Sequence, residues 1–173
     1  MDIYPEIELS SVQHTEIETL RNKSFPDHQV PRSYYKQLPH LRAVKYQDSH
    51  LVGYMGLDYR TICVGDETYK VLGVIDLCIN DTFRGQGFGT SMLSELSDYA
   101  SGRDVDFIIL ISELHDFYIA NGFQRINALN SWLRLHEHKN YGVAVEQVNE
   151  LYVKSVSGKA WANGHVDWLG YMY

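Results

Sequence analysis

A chain of 173 residues with 45% apolar and 21% charged residues suits one soluble domain with a sizeable core, burying about 70% of its unfolded surface. Its net charge of −7, from 15 basic and 22 acidic residues, argues against nucleic acid as a partner, because that binding draws on clustered Lys and Arg. No apolar run approaches the ~18 residues needed to cross a membrane, and the acidic start through Asp2 and Glu6 predicts no secretory signal.

In chain order, Val12, Ile17, Leu20 and Phe25 make a helical face stopped by Pro26, and residues 33–38 suit a second short helix between Pro31 and Pro39. Strand patterns follow over 41–47 and 51–64 around a turn at Asp48 and Ser49. A turn at Gly65, Asp66 and Glu67 then leads into a strand over 69–79. Such tight turns predict antiparallel hairpins. Cys63 and Cys78 lie in these apolar strands and read as small buried thiols of a reducing compartment, the cytoplasm.

Next comes Arg84-Gly85-Gln86-Gly87-Phe88-Gly89-Thr90, opening a helix near Ser91 whose Met92, Leu93, Leu96, Tyr99 and Ala100 pack a core until Gly102. Alternating glycines let the backbone approach a ligand closely. Successive N–H groups at a helix start favour an anion such as a pyrophosphate, and Arg84 adds paired donors for phosphate oxygens. The spacing fits neither the dinucleotide G-x-G-x-x-G nor the P-loop. Residues 106–111 read as a buried strand, parallel to the one before the glycine loop through a right-handed crossover. Residues 114–121 read as a helix that Gly122 stops in a left-handed cap. Residues 132–135 and 151–156 are strand-like. The segment 158–173 is too aromatic for a frayed end and is expected to dock on the body.

Arg84, Gly87 and Gly89 resemble the R/Q-x-x-G-x-G/A signature of the Gcn5-related N-acetyltransferases, and residues 117–123 look like that family's F-Y-x-x-x-G-F. The resemblance is specific over 71–126 and looser over 41–70. It implies a single α/β (α+β) domain over 1–173 with the acyl-CoA N-acyltransferase fold, a mixed central sheet flanked by helices on both faces. It implies acetyl-CoA as co-substrate and a small-molecule or peptide amine as acceptor, with direct attack in a ternary complex. Arg84, Gly85, Gln86, Gly87, Phe88, Gly89 and Thr90 would hold the pyrophosphate, and the main chain of Leu77, Cys78 and Ile79 the pantetheine. Ser112 stands where many relatives have a pantetheine-contacting asparagine, and its other use is as a helix cap. Phe117 and Tyr118 belong to the second motif. Segment 158–173 is loosely similar to aminoglycoside 2'-N-acetyltransferase-like members. Asp167, Trp168 or the terminal carboxylate would then border the acceptor pocket, while packing or a homodimer contact are the other uses.

Tyr118 would act toward the departing sulfur. Reference values near 10 for tyrosine and 8.5 for a thiol make outright proton donation uphill by about 2 kcal/mol, so a hydrogen bond to the thiolate describes it better. Asp76, between Ile75 and Leu77, is a candidate base, since a desolvated carboxylate suits a base working near neutrality. Water chains, Glu113 and His115 are alternatives, and Asp76 could instead pair with a tyrosine or arginine on a neighbouring strand. Cys78 is not the nucleophile, because acyl transfer to an amine needs no covalent enzyme intermediate. His136 and His138 share one strand face but read as a solvated strand end, so no metal is expected. The rival reading is a coenzyme A-binding sensor or accessory module without turnover.

Overall fold

Turn chemistry sets the frame. Asp48 and Ser49 both hold positive φ (48° and 62°), the twist that joins two strands through two residues. They link β2 (Leu41–Gln47) to β3 (His50–Val64), and Gly65 with Asp66 turns the chain into β4 (Glu67–Ile79). The computed structural model describes residues 1–173, which form two units, Met1–Asp58 with Val74–Leu96, and Tyr59–Gly73 with Ser97–Tyr173.

In the first unit β1 (Asp2–Pro5), unannounced by the sequence pattern, runs antiparallel to β2 from Asp2↔Val44 to Pro5↔Leu41. Helix α1 (Ser11–Ser24) starts with a capping box between Ser10 and Gln13. It buries Ile17 and Leu20 against Val44, Leu51, Tyr54 and Cys78. The helix expected over 33–38 does not form; that segment is a series of bends. Pro39 disfavours helical geometry at Leu38, and the Ser33 carbonyl accepts from Arg42 Nη1 (2.6 Å) instead of from a helical N–H. Helix α2 (Phe88–Ala100) begins three residues earlier than the pattern suggested, and Met92 Sδ packs where a Cβ on Gly53 would be.

The second unit is a ring of strands. The parallel β4–β5 ladder joins Val71↔Phe107 to Gly73↔Ile109, where β5 is Phe107–Ile111. Beside β5 lies β7 (Lys139–Ser155), antiparallel from Phe107↔Ser155 to Ile111↔Leu151. It forms a long hairpin with β6 (Gln124–His136), both strands far longer than the short runs at 132–135 and 151–156 suggested. The C-terminal segment supplies β8 (Val166–Tyr171), parallel to β6 at Asn130↔Val166 and antiparallel to β3 at Cys63↔Asp167 and Val64↔Val166. Because β3 and β4 are neighbours, these pairings close into six strands, removing the exposed edges of an open sheet. Ile62, Val64, Tyr69, Val71, Phe107, Ile109, Leu151, Val153, Val166 and Trp168 belong to one buried cluster, drawn from alternate positions of β3, β4, β5, β7 and β8. Helix α3 (His115–Ala120) sits between β5 and β6. Its end is a Schellman motif: Phe123 N–H donates to the Tyr118 carbonyl (3.0 Å) and Gly122 N–H to that of Ile119 (3.0 Å), with Gly122 at φ 81°. Eight strands in a mixed sheet with three α-helices make this an α+β fold.

Candidate active site

The first unit carries the glycine loop. Asn80 follows β4, its amide N–H donating to the Val52 carbonyl (2.9 Å) and its side chain accepting from Thr82 N–H (3.3 Å). The chain then loops through Arg84–Gly87 in exposed positions. Gly85 and Gly87 hold φ of 72° and 82°, with nothing within 4 Å of where a Cβ would stand. Glycine is required here by backbone conformation, and the space above the loop is open. The first intrahelical bond of α2 runs from Ser91 N–H to the Gly87 carbonyl (2.9 Å). The N–H groups of Phe88, Gly89 and Thr90 therefore precede the helical ladder and lie at its positive end. Arg84 donates through Nε to the Ile79 carbonyl (3.1 Å) and pairs through Nη2 with Asp81 (3.0 Å), which also holds Lys23 (3.1 Å).

Upstream, β4 carries Asp76, whose φ of 53° is rare for a residue other than glycine within a strand. Its Oδ2 accepts from Arg21 Nε at 2.5 Å. Arg21 is 1% exposed; it also donates to the His28 carbonyl (2.8 Å) and lies over Phe25 and Tyr35 (5.8 and 5.2 Å). Sequence reasoning missed this partner, although Arg21 sits four residues after Ile17 on the apolar face of α1, where a charge needs a buried counterpart. Lys36 is a second missed cation: burial lowers its pKa, and the nearby Asp76 carboxylate opposes that shift. Leu77 and Ile79 are half-buried and Cys78 buried. Burial pushes the Cys78 thiol up to about 12, with Asp76 adding to the shift, so it is a poor nucleophile. Cys63 is half-buried rather than buried as its strand pattern suggested.

The second unit carries the tyrosine. Ser112 follows β5, and its Oγ accepts from Leu114 N–H (3.1 Å), so the serine does cap the turn into α3. Tyr118 is buried among Phe117, Phe123 and Tyr152, with ring centroids at 5.0, 5.6 and 5.4 Å. Burial raises its phenol to about 12, Ser112 opposing the shift and Tyr152 adding to it. His115 Nδ1 is hydrogen-bonded to the Tyr152 hydroxyl, and Glu113 is exposed. The β4–β5 ladder ends at Gly73↔Ile109 although both strands continue, β4 to Ile79 and β5 to Ile111.

His136 and His138 do not share a strand face. His136 ends β6, while Glu137 and His138 form the hairpin turn at φ 48° and 58°. No group of three or more His, Cys, Asp or Glu stands together to hold a metal ion.

Residues 9–125, more than half the chain, match the acetyltransferase (GNAT) family. The chain belongs to that family. Among solved structures it is similar to a GNAT family N-acetyltransferase (YhbS) from Escherichia coli in complex with CoA: 14% identity, 96% of this chain and 88% of that one, TM-score 0.63. It is likewise similar to a GNAT family acetyltransferase from Brucella melitensis in complex with acetyl-CoA: 15% identity, 95% and 93%, TM-score 0.60. A GCN5-related N-acetyltransferase from Anabaena variabilis matches 75% of this chain at 11% identity and TM-score 0.58, and this chain spans about a third of its length (33%). At these identities the neighbours establish the fold. None of the curated proteins compared matches this sequence.

Proposed function

We propose that this protein is an N-acetyltransferase that moves the acetyl group of acetyl-CoA to a primary amine by direct attack in a ternary complex. The observation that carries the proposal is the loop through Arg84 to Thr90: two glycines at positive φ, open space above them, and three helix-leading N–H groups beyond. That arrangement suits a pyrophosphate, with Arg84 exchanging its contact with Asp81 for a phosphate oxygen. Leu77, Cys78 and Ile79 would bond the pantetheine through their main chain, with Ser112 and Phe117 also lining the coenzyme.

In the reaction the neutral amine nitrogen bonds the thioester carbon, the C–S bond breaks, the thiolate leaves with its electron pair, and the proton that the nitrogen sheds on becoming an amide passes to that thiolate through solvent. Tyr118 stabilises that thiolate by a hydrogen bond. With its phenol near 12, full transfer to a thiol near 8.5 would be uphill by about 5 kcal/mol. Asp76 is the proposed base for the ammonium proton. It would act from within its ion pair with Arg21, directly or through water. That pairing also favours the second reading, a coenzyme A-binding module without turnover, because it occupies the carboxylate.

The test is release of free thiol from acetyl-CoA over a panel of amines: aminoglycosides first, given the loose likeness of segment 158–173, then polyamines and peptide N-termini. Turnover with one class, reduced about 10- to 100-fold in kcat by Tyr118→Phe, supports the enzyme. Tight acetyl-CoA binding with no thiol release from any amine supports the module.

A further inference from the structure

The C-terminal residues reach the place where the parallel ladder gives out. Gly73 is the last β4 residue paired with β5. A Cβ at this position would overlap the phenol of Tyr173, so glycine is needed here for close approach and not for its φ. The Tyr173 ring is fixed from several sides. It stands edge-on to Trp168 (5.1 Å, 89°) and to Tyr171 (6.1 Å, 79°). The Arg60 guanidinium lies over both tyrosine rings, at 4.3 Å from Tyr171 and 5.2 Å from Tyr173, and its Nη1 donates to the Tyr171 carbonyl (2.6 Å). Trp168 is pinned in turn by Nε1–H donating to Asn130 Oδ1 (2.8 Å). A packed aromatic group therefore covers the ring-interior face of the final rung.

This inference rests on the acyl-transfer reading and adds to it that the acyl group lies where the β4–β5 ladder ends, at Gly73↔Ile109. We propose that Tyr173 sets acyl-chain length: its ring fills the volume beside Gly73 into which a longer acyl chain would extend, leaving room for acetyl. No acidic or basic side chain is needed, because the discrimination is by volume, where each excluded methylene changes affinity by a factor of about 10 to 200.

The experiment is calorimetric titration of the full chain with acetyl-CoA and hexanoyl-CoA, for wild type, Tyr173→Phe, Tyr173→Leu and Tyr173→Ala. Wild type and Tyr173→Phe are expected to prefer acetyl-CoA by at least about tenfold. Tyr173→Ala and Tyr173→Leu are expected to raise hexanoyl-CoA affinity about tenfold or more relative to acetyl-CoA. Tyr173→Leu keeps an apolar side chain against Trp168, should the alanine variant fail to fold. Equal wild-type affinity for the two ligands overturns the proposal, as does an unchanged ratio in a folded variant. Failure of wild type to bind acetyl-CoA at all is a different result: it removes the acyl-transfer reading itself.

Discussion

Asp76 and Arg21 decide much of what the first unit can do. An arginine at 1% exposure paired to a carboxylate at 17% side-chain exposure is held by its partner more than it stabilises the fold, since removing one member strands the other. Arg21→Met is therefore expected to cost about 2 kcal/mol, below the fully buried figure because Asp76 is partly solvated. Adding Asp76→Asn should recover part of it, read by urea unfolding; equal losses in the single and double variants would refute the coupling. Tyr118 stays protonated through neutrality because burial raises its phenol to about 12. Folding thus holds its proton more tightly than the unfolded chain, where the ordinary value is near 10. Its stabilising effect is complete below pH 10 and fades from there toward 12. The pH profiles of kcat/KM for wild type and Tyr118→Phe should then run parallel below pH 10; a basic limb present only in wild type near pH 8 would contradict this. The helix that carries Tyr118 was legible because the second motif spans it and Gly122 stops it at positive φ. The Arg21 partner was not, since nothing local tells which strand residue a helix arginine will meet.

At the scale of elements, the glycine loop and the hairpin turns were readable because positive φ has so few solutions. Gly85 and Gly87 both adopt it, and Asp48 and Ser49 supply the turn the pattern demanded. Gly87→Val places a β-branched residue at φ 82° without any steric neighbour. It should cost about 1–3 kcal/mol of backbone strain while leaving the rest of the unit folded, and coenzyme affinity should fall at least about tenfold. Unchanged affinity in a folded variant would mean that the loop backbone does not touch the ligand. The helix expected over 33–38 failed for a nonlocal reason: Arg42, from β2, takes the Ser33 carbonyl, and local propensity cannot anticipate a guanidinium supplied from elsewhere. Strand β1 escaped notice for a related reason, since its four residues become a strand only by pairing with β2.

For the molecule as a whole, the family match ends at residue 125, yet β6, β7 and β8 lie almost entirely beyond it. The aromatic composition of 158–173 announced docking but not where. The closure of β8 against both β6 and β3 depends on partners more than 30 and 100 residues distant in sequence, as the pairs Asn130↔Val166 and Cys63↔Asp167 show. Trp168, fully buried, is the closing strand's principal anchor. Trp168→Ala should cost about 3–5 kcal/mol, measured by urea unfolding, and a loss below about 1 kcal/mol would show that the ring holds without its anchor. The account's central claim, a coenzyme A cradle at the start of α2, is tested most directly by calorimetric titration of acetyl-CoA into wild type and Arg84→Ala. Saturable wild-type binding that weakens about tenfold or more without the Arg84 guanidinium is the predicted result. No wild-type binding at millimolar ligand, or equal affinity in the two proteins, would contradict it.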